Sequence, residues 1–292
     1  MSWCKVNLNC DGNDAYIIEE ILVAHEAISV SMFDESAKDS IYEPKVGATP
    51  LWRSVKISAL FEKKISKDFI TSILKGISHK NLNINKLYHE DWIKKYQESF
   101  KPIKVGKRLW ILPSWRKNEK TQGGIDLKID PGLAFGSGTH ETTQLCLEYL
   151  EKSNLKDLSI IDYGCGSGIL SIASILLGAK HVFAIDNDPQ AISSTTSNCI
   201  LNSVEQKIKI LAPGNIKDIK VDLLISNIFL FSLIDLRDEF MSSLNLDAKL
   251  VLSGIKEDQL NILTKSYKPF FSIKNVKIKN NWCLVEFQKI ME

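Results

Sequence analysis

No stretch of this sequence is long and apolar enough to cross a bilayer. Its most hydrophobic segment, GILSIASILLGA over residues 168–179, is broken by serines and falls short of the roughly 20 residues a membrane helix needs. The first residues, MSWCKVNLNCDGNDAY, show no basic cluster running into an apolar core, so a secretory leader is not expected there. Paired-thiol motifs are also missing. Cys4, Cys10, Cys146, Cys165, Cys199 and Cys283 include no Cys-x-x-Cys, and none stands at metal-ligand spacing from a histidine. No metal site is expected, and reduced thiols in a cytoplasmic protein are the reading this pattern favours. Nor is there a strong excess of either charge. A formal net charge of +2 does not by itself announce a nucleic-acid surface, so nucleic-acid contact is not required. Internal repeats and low-complexity tracts are absent. What remains, 44% apolar and 25% charged residues over 292 positions, is the make-up of a globular protein with a real core and room for two domains.

The first third alternates between two periods. WCKVNLN (3–9) reads as a strand and DAYIIEEILVAHEA (14–27) as a helix, with Ile17, Ile21, Leu22 and Ile28 near one face. ISVSMF (28–33) is a second strand. A polar stretch punctuated by Pro44, Gly47 and Pro50 follows. SVKISALF (54–61) alternates as a half-buried strand, DFITSILKGI (68–77) is helical, and INKLYHE (84–90) is a fourth strand. The order βαββαβ is that of small ferredoxin-like α+β domains, which carry no function by fold alone. EDWIKKYQESFKPI (90–103) has helical composition and stops at Pro102, as a connecting helix would. The expected division is a domain over 1–87, a linker helix over 88–101 and a larger domain over 102–292.

The larger part opens with strands at 109–115 and 124–130. From residue 158 it becomes regular α/β, with strands at 158–162, 181–186, 207–211, 222–227 and 248–254 separated by helical stretches. Short apolar runs of this kind fit a parallel, Rossmann-like sheet buried on both faces. FFSIKNVKI and NWCLVEFQK then lie close together across Lys279 and Asn280, so the sheet is expected to finish on an antiparallel edge.

Within that α/β pattern, IIDYGCGSG (160–168) carries a strand into a glycine-rich turn and a helix. Glycines allow the tight turn and a close backbone approach to a ligand. The dinucleotide spacing G-x-G-x-x-G fails in both registers, since its last position falls on Ile169 or Ser171. Asp162 stands two residues before Gly164, awkward beside a pyrophosphate but suited to a cationic ligand such as a sulfonium. Asp162-x-Gly164-x-Gly166-x-Gly168 is the D-x-G-x-G-x-G pattern usual in class I methyltransferases. Asp186, in AIDNDP about 20 residues past that loop, sits where a Rossmann-type carboxylate accepts bonds from ribose hydroxyls. Its plain alternative, a helix N-cap before Pro189, fits Asp188 better. Asn227, in LLISNIFLF, closes a strand at the crevice where α/β enzymes act, but Asn-Ile-Phe-Leu is not the Asn-Pro-Pro-aromatic clamp of base and glutamine methylases.

DPGLAFGSGTHETT (130–143) resembles the signature of ribosomal protein L11 methyltransferases, and LWRSVKI (51–57), DWIKKYQESFKPIKVGKRLWILPSW (91–115), the glycine loop, Asn227-Ile228 and LSGI (252–255) agree with it. The resemblance covers nearly the whole chain. It implies transfer of methyl groups from S-adenosylmethionine to lysine ε-amines and the N-terminal α-amine of a large-subunit ribosomal protein, by a monomeric enzyme whose N-terminal domain holds that substrate. Carried across, Thr143, Gly164, Asp186 and Asn227 would contact the cofactor, joined by Asp162 and Gly166 from the loop pattern. Asn227 and its neighbouring carbonyl are the candidates for aligning the amine. Ser137 stands where the family usually has Thr, Glu141 where it has Pro, and Phe229, Leu230 and Phe231 where small residues and a proline are common. His140 is tempting as a base, yet a lone loop histidine is more often structural. Gly132, Gly136 and Gly138 are read as shaping a lid over the cofactor. A class I methyltransferase for another substrate and a non-catalytic ribosome-binding module are the competing functions.

Overall fold

The computed structural model describes residues 2–35, 52–88, 101–116, 123–130, 136, 138–214, 216 and 218–290. The chain divides into two compact units, Met1–Phe100 and Lys101–Glu292. The expected connecting helix falls almost wholly outside the described residues.

The N-terminal unit runs β1 (Ser2–Asp11), α1 (Gly12–Ala24), β2 (Ser29–Asp34), β3 (Ser54–Phe61), α2 (Lys67–Ile73) and β4 (His79–Tyr88). Its four strands form an antiparallel sheet in the order β2-β3-β1-β4, the ferredoxin-like arrangement. Alternate residues of β1 (Cys4, Val6, Leu8, Cys10) and β3 (Val55, Ile57, Ala59, Phe61) point to one face. Ala15, Ile18 and Leu22 of α1 and Ile70 of α2 cover them. Of the expected apolar face, Leu22 is buried and Ile21 packs against the core, but Ile17 and Ile28 do not. Ile17 is 50% exposed and Ile28 53%. Small Ala15 sets the helix close to the sheet, and Ile28 lies past the helix end, where Glu26 takes a left-handed φ of 71°. β4 begins at His79, earlier than its apolar pattern, because a bulge between Asn7 and Asn9 of β1 breaks the alternation. α2 stops at Ile73, ahead of Gly76 at φ 90°.

The C-terminal unit opens with a three-stranded sheet, β5 (Ile103–Val105), β6 (Leu109–Leu112) and β7 (Ile125–Lys128). Then come α3 (Glu141–Lys152), β8 (Ser159–Tyr163), α4 (Ile169–Leu176), β9 (His181–Ile185), α5 (Pro189–Leu201), β10 (Ile208–Leu211) and β11 (Val221–Asn227). The chain ends through α6 (Leu230–Asp235), α7 (Arg237–Ser243), β12 (Leu244–Lys256), α8 (Leu260–Tyr267), β13 (Phe271–Lys279) and β14 (Trp282–Lys289). The main sheet has seven strands in the order β10-β9-β8-β11-β12-β14-β13. The first five are parallel, and β14 runs antiparallel to both of its neighbours. Asn280 and Asn281, at φ 48° and 66°, make the two-residue turn between β13 and β14, the left-handed pair such hairpins require. Strand order reverses between β8 and β11, so a crevice opens at their carboxyl ends.

Two apolar layers sandwich the sheet, one under α3 and α4 and the other under α6, α7 and α8. All six cysteines are buried with free thiols. Burial, helped by nearby acidic groups, pushes Cys10, Cys199 and Cys283 up to about 11. Among the described residues, no helix is long and apolar enough to cross a membrane.

One buried carboxylate ties α3 to the turn between β5 and β6 within the C-terminal unit. Glu151, on the last turn of α3, accepts from the Arg108 amide at 3.2 Å, the Lys107 amide at 3.4 Å and the Arg108 Nε at 3.4 Å. Arg108 Nη2 donates to the Glu151 carbonyl at 3.3 Å. Glu151→Ala would strand these donors, at a cost of about 1–3 kcal/mol. The expected result is a thermal midpoint lower by several degrees, measured by calorimetry; an unchanged midpoint would refute the assignment.

Candidate active site

β8 delivers Asp162 into the carboxyl-end crevice and runs into the loop 164–168. Gly164, Gly166 and Gly168 all take left-handed backbone, at φ 78°, 56° and 77°, which a side chain would resist. Space matters as much as conformation. A Cβ on Gly164 would overlap the Ile228 side chain, and one on Gly168 would come within 2.8 Å of the Thr195 methyl. The loop is then tied down by its polar groups. The amides of Gly164 and Cys165 donate to the Ile185 carbonyl at 2.8 and 3.0 Å. Thr195 Oγ1 donates to the Gly166 carbonyl at 2.9 Å, and Asn198 Nδ2 to the Ser167 carbonyl at 2.9 Å. Ser167 Oγ donates to the Gly136 carbonyl at 2.7 Å, which fastens part of the signature segment onto the loop.

Two carboxylates flank the glycines. Asp162 is buried, and its Oδ2 accepts from the Ser171 amide at 2.9 Å and the Ser171 hydroxyl at 2.6 Å. Its Oδ1 has no hydrogen-bond partner among the described residues. Burial pushes the Asp162 carboxyl up to about 6, partly opposed by the Ser171 bonds and reinforced by the Asp186 charge. Asp186 follows β9 directly. Its Oδ2 accepts from the Gly166 amide at 2.9 Å and its Oδ1 from the Asp188 amide at 3.0 Å. Each oxygen keeps a further acceptor direction. Asp188 caps α5 by accepting from the Gln190 amide, so the capping role falls to Asp188 as its spacing suggested.

Asn227 ends β11 opposite Ser253 of β12. Its Nδ2 donates to Thr143 Oγ1 at 3.4 Å, while its Oδ1 is buried without a partner among the described residues. Thr143 is buried in the first turn of α3. Beyond Asn227, Gly254 at φ 89° lets the Ile228 backbone pass where a Cβ would collide with it. The bulky residues that follow separate: Leu230 is buried, whereas Phe229 and Phe231 are 57% and 52% exposed.

The sequence-derived residues thus gather in three linked groups: Thr143 with Asn227, Asp186 with Gly166, and Asp162 with Ser171. Gly164 joins the first group to the loop through Ile228. Thr195, Asn198 and Asn202 were missed. Thr195 and Asn198 sit on the inward face of α5 with Ala191, and Asn202, the residue capping its C-terminal end, exchanges bonds with the Lys128 backbone at 2.9 and 2.6 Å. Polar residues recurring at helical spacing on a face that should be apolar were the available signal. Gly132 and Ser137 lie outside the described residues.

Buried acceptors lacking donors are uncommon and costly. Of the three such atoms among the described residues, two, on Asp162 and Asn227, stand at the carboxyl end of β8 and β11, beside glycines that leave the backbone bare. That donor-hungry, anionic lining fits a ligand with ammonium, sulfonium and ribose hydroxyl groups. Sheet order, glycine loop and carboxylates together define a class I methyltransferase, which takes its methyl group from S-adenosylmethionine. The family model described as ribosomal protein L11 methyltransferase (PrmA) matches residues 2–290, and the chain belongs to that family. A ribosomal protein L11 methyltransferase of Hahella chejuensis is 35% identical over 292 residues, covering 99% of each chain. One of Shewanella baltica is 36% identical over 290 residues, covering 97% of each. The crystal structure of a ribosomal protein L11 methylase from Lactobacillus delbrueckii subsp. bulgaricus superposes with a TM-score of 0.61 at 31% identity, covering 65% of this chain and 99% of that one.

Asp162→Asn keeps the shape of the side chain and removes its charge. The folded state raises this carboxyl above its ordinary value of 3.8, so its contribution to stability is full below that value and is lost as pH rises through about 6. The variant should therefore gain melting temperature over the parent at about pH 8 but not at about pH 4, while binding S-adenosylmethionine more weakly. An equal difference at both pH values would show that Asp162 is not a buried charge.

Proposed function

We propose that this chain methylates amino groups of ribosomal protein L11, lysine ε-amines and the N-terminal α-amine, acting as a monomer in the cytoplasm. The buried, partnerless Oδ1 of Asn227 carries this reading, because an acceptor at the reaction crevice suits an N–H-bearing nucleophile. Asp186 would hold the ribose hydroxyls, Gly164 and Gly166 would admit the cofactor against bare backbone, and Asp162 would face its cationic methionine end. Thr143 would fix the Asn227 amide. S-adenosylmethionine, when bound, supplies a methyl group already activated on a sulfonium.

The chain's own residues then have two tasks. A lysine amine is mostly protonated in water, with a pKa of about 10.4, and only the neutral form attacks. Burial of the amine beside Ile228 would disfavour its charged form by desolvation. Asn227 Oδ1 and the adjacent backbone carbonyl accept the amine N–H groups and so aim the lone pair. Positioning supplies much of the rate once the donor is activated. The N-terminal unit, over about 1–87, would hold the ribosomal protein.

The test is transfer of labelled methyl from S-adenosylmethionine to ribosomal proteins lacking the modification, with Asn227→Ala alongside. Label is expected on one small large-subunit protein and should fall at least about tenfold in the variant, the equivalent of about 1.4 kcal/mol. Label on a different protein would move the substrate assignment. Cofactor binding without any label would favour a non-catalytic ribosome-binding module.

A further inference from the structure

The N-terminus of α3 is where three elements of the C-terminal unit converge, and His140 is at their centre. Its Nδ1 accepts from the Thr142 amide at 3.3 Å and lies 2.8 Å from Thr142 Oγ1, making His140 the N-cap of α3. The ring meets Trp282 of β14 edge-on, with centroids 4.8 Å apart. Over that same indole, 4.2 Å from its centroid, lies the ammonium of Lys256, which closes β12 and is only 9% exposed. The turn between β13 and β14 grips the same end of the helix. Asn280 Nδ2 donates to Glu141 Oε1 at 3.1 Å, and Lys279 Nζ to Gln144 Oε1 at 2.8 Å.

An imidazole nitrogen accepts a hydrogen bond only when it carries no proton. The cap therefore exists only while His140 is neutral. Thr143 is the residue after the capped amide, and its hydroxyl receives the long 3.4 Å bond from Asn227. A bond of that length has little tolerance for a shifted first turn.

We propose that His140 is a positioning residue for methyl transfer: as a neutral imidazole screened by Trp282 and Lys256, it caps α3 and holds Thr143 against Asn227. This rests on the reading that Thr143 and Asn227 serve the methyl-transfer site. The groups acting on His140 agree with the role. Burial lowers its pKa, Lys256 from β12 lowers it further, and Glu141 on its own helix opposes them. The cap is thus intact above the lowered value and is lost as pH falls through it. With Nδ1 accepting from the Thr142 amide, the neutral ring carries its proton on Nε2, so while the cap holds neither nitrogen is left to accept a proton in catalysis.

The test compares His140→Asn, His140→Ala and Lys256→Met with the parent, following methyl transfer and S-adenosylmethionine affinity across pH, with the His140 ring titrated by NMR. Asparagine caps helices and cannot be protonated there. His140→Asn should keep kcat/KM within about threefold and flatten its acid limb, whereas His140→Ala should lose about five- to tenfold where His140 is neutral, the equivalent of a lost cap, and converge on the parent once His140 is protonated. Lys256→Met should move the acid limb, and the NMR titration of His140, to higher pH. His140→Asn as inactive as His140→Ala, with melting unchanged, would overturn the proposal in favour of a proton-transfer role. His140→Ala indistinguishable from the parent would overturn it outright. A parent that fails to bind S-adenosylmethionine would sink the underlying reading, a different result from tight binding indifferent to position 140.

Discussion

Ile228 is held between two glycines, and the crevice depends on that fit. On one side, Gly164 leaves room for its side chain; on the other, Gly254 leaves room for its backbone. Gly164 belongs to the loop leaving β8 and Gly254 lies within β12 near its end, while Ile228 leaves β11 between them in the sheet. Three chain segments therefore converge at the carboxyl ends of adjacent strands with no Cβ at either glycine. Added bulk at either one would push the β11 loop away, and Asn227 with it. Both glycines also take left-handed backbone, so a larger residue would be penalised twice, by strain and by overlap.

That convergence leaves polar backbone in a dry place, and α5 supplies the side chains that satisfy it. A helix face built only for apolar packing would carry branched aliphatics at these positions. α5 instead points Thr195 and Asn198 inward, onto the Gly166 and Ser167 carbonyls, and Asn202 at its C-cap binds the Lys128 backbone. Asn198 also receives the Asp130 amide at 3.5 Å, and Asp130 in turn accepts from Ser114 at 2.7 Å. Loops that share no sequence proximity are fixed in one frame. Hydrogen bonds give this frame direction that apolar packing alone would not.

The architecture was legible because periodicity and glycine spacing are local signals. The strands from β8 to β11 fall within about a residue of their apolar runs, since strands buried on both faces have little else in them. Asp162, Gly164, Gly166 and Asp186 could be read for the same reason: each is adjacent to a strand end whose position was already fixed. Legibility failed where the deciding partner is distant. Which face of α1 is buried depends on how closely Ala15 lets the helix approach the sheet, and the Ile17 side chain is exposed as a result, while Ile28 lies past the helix altogether. Ser171 pins Asp162 from the next helix, yet in the sequence it is one more serine in an apolar run. Gly254 looks like an ordinary strand residue until the Ile228 backbone is seen to pass beside it.

The placement of Thr143 shows how much distant structure can be spent on one hydroxyl. α3 carries it, and α3 is held at both ends by unrelated means. At its C-terminal end, Glu151 anchors the turn between β5 and β6 with a buried carboxylate. Along its flank, Tyr149 donates to Glu286 of β14 at 3.0 Å, and Glu286 also pairs with Lys249 of β12. At its N-terminal end, the β13–β14 turn grips Glu141 and Gln144. A helix secured only by its apolar stripe could slide or rotate slightly along the sheet at little cost, since dispersion and burial are non-directional. Charge-assisted bonds at both ends remove that freedom. The antiparallel strand pair at the end of the sheet therefore does more than finish its edge: its turn reaches back to fix the helix that carries Thr143 to Asn227.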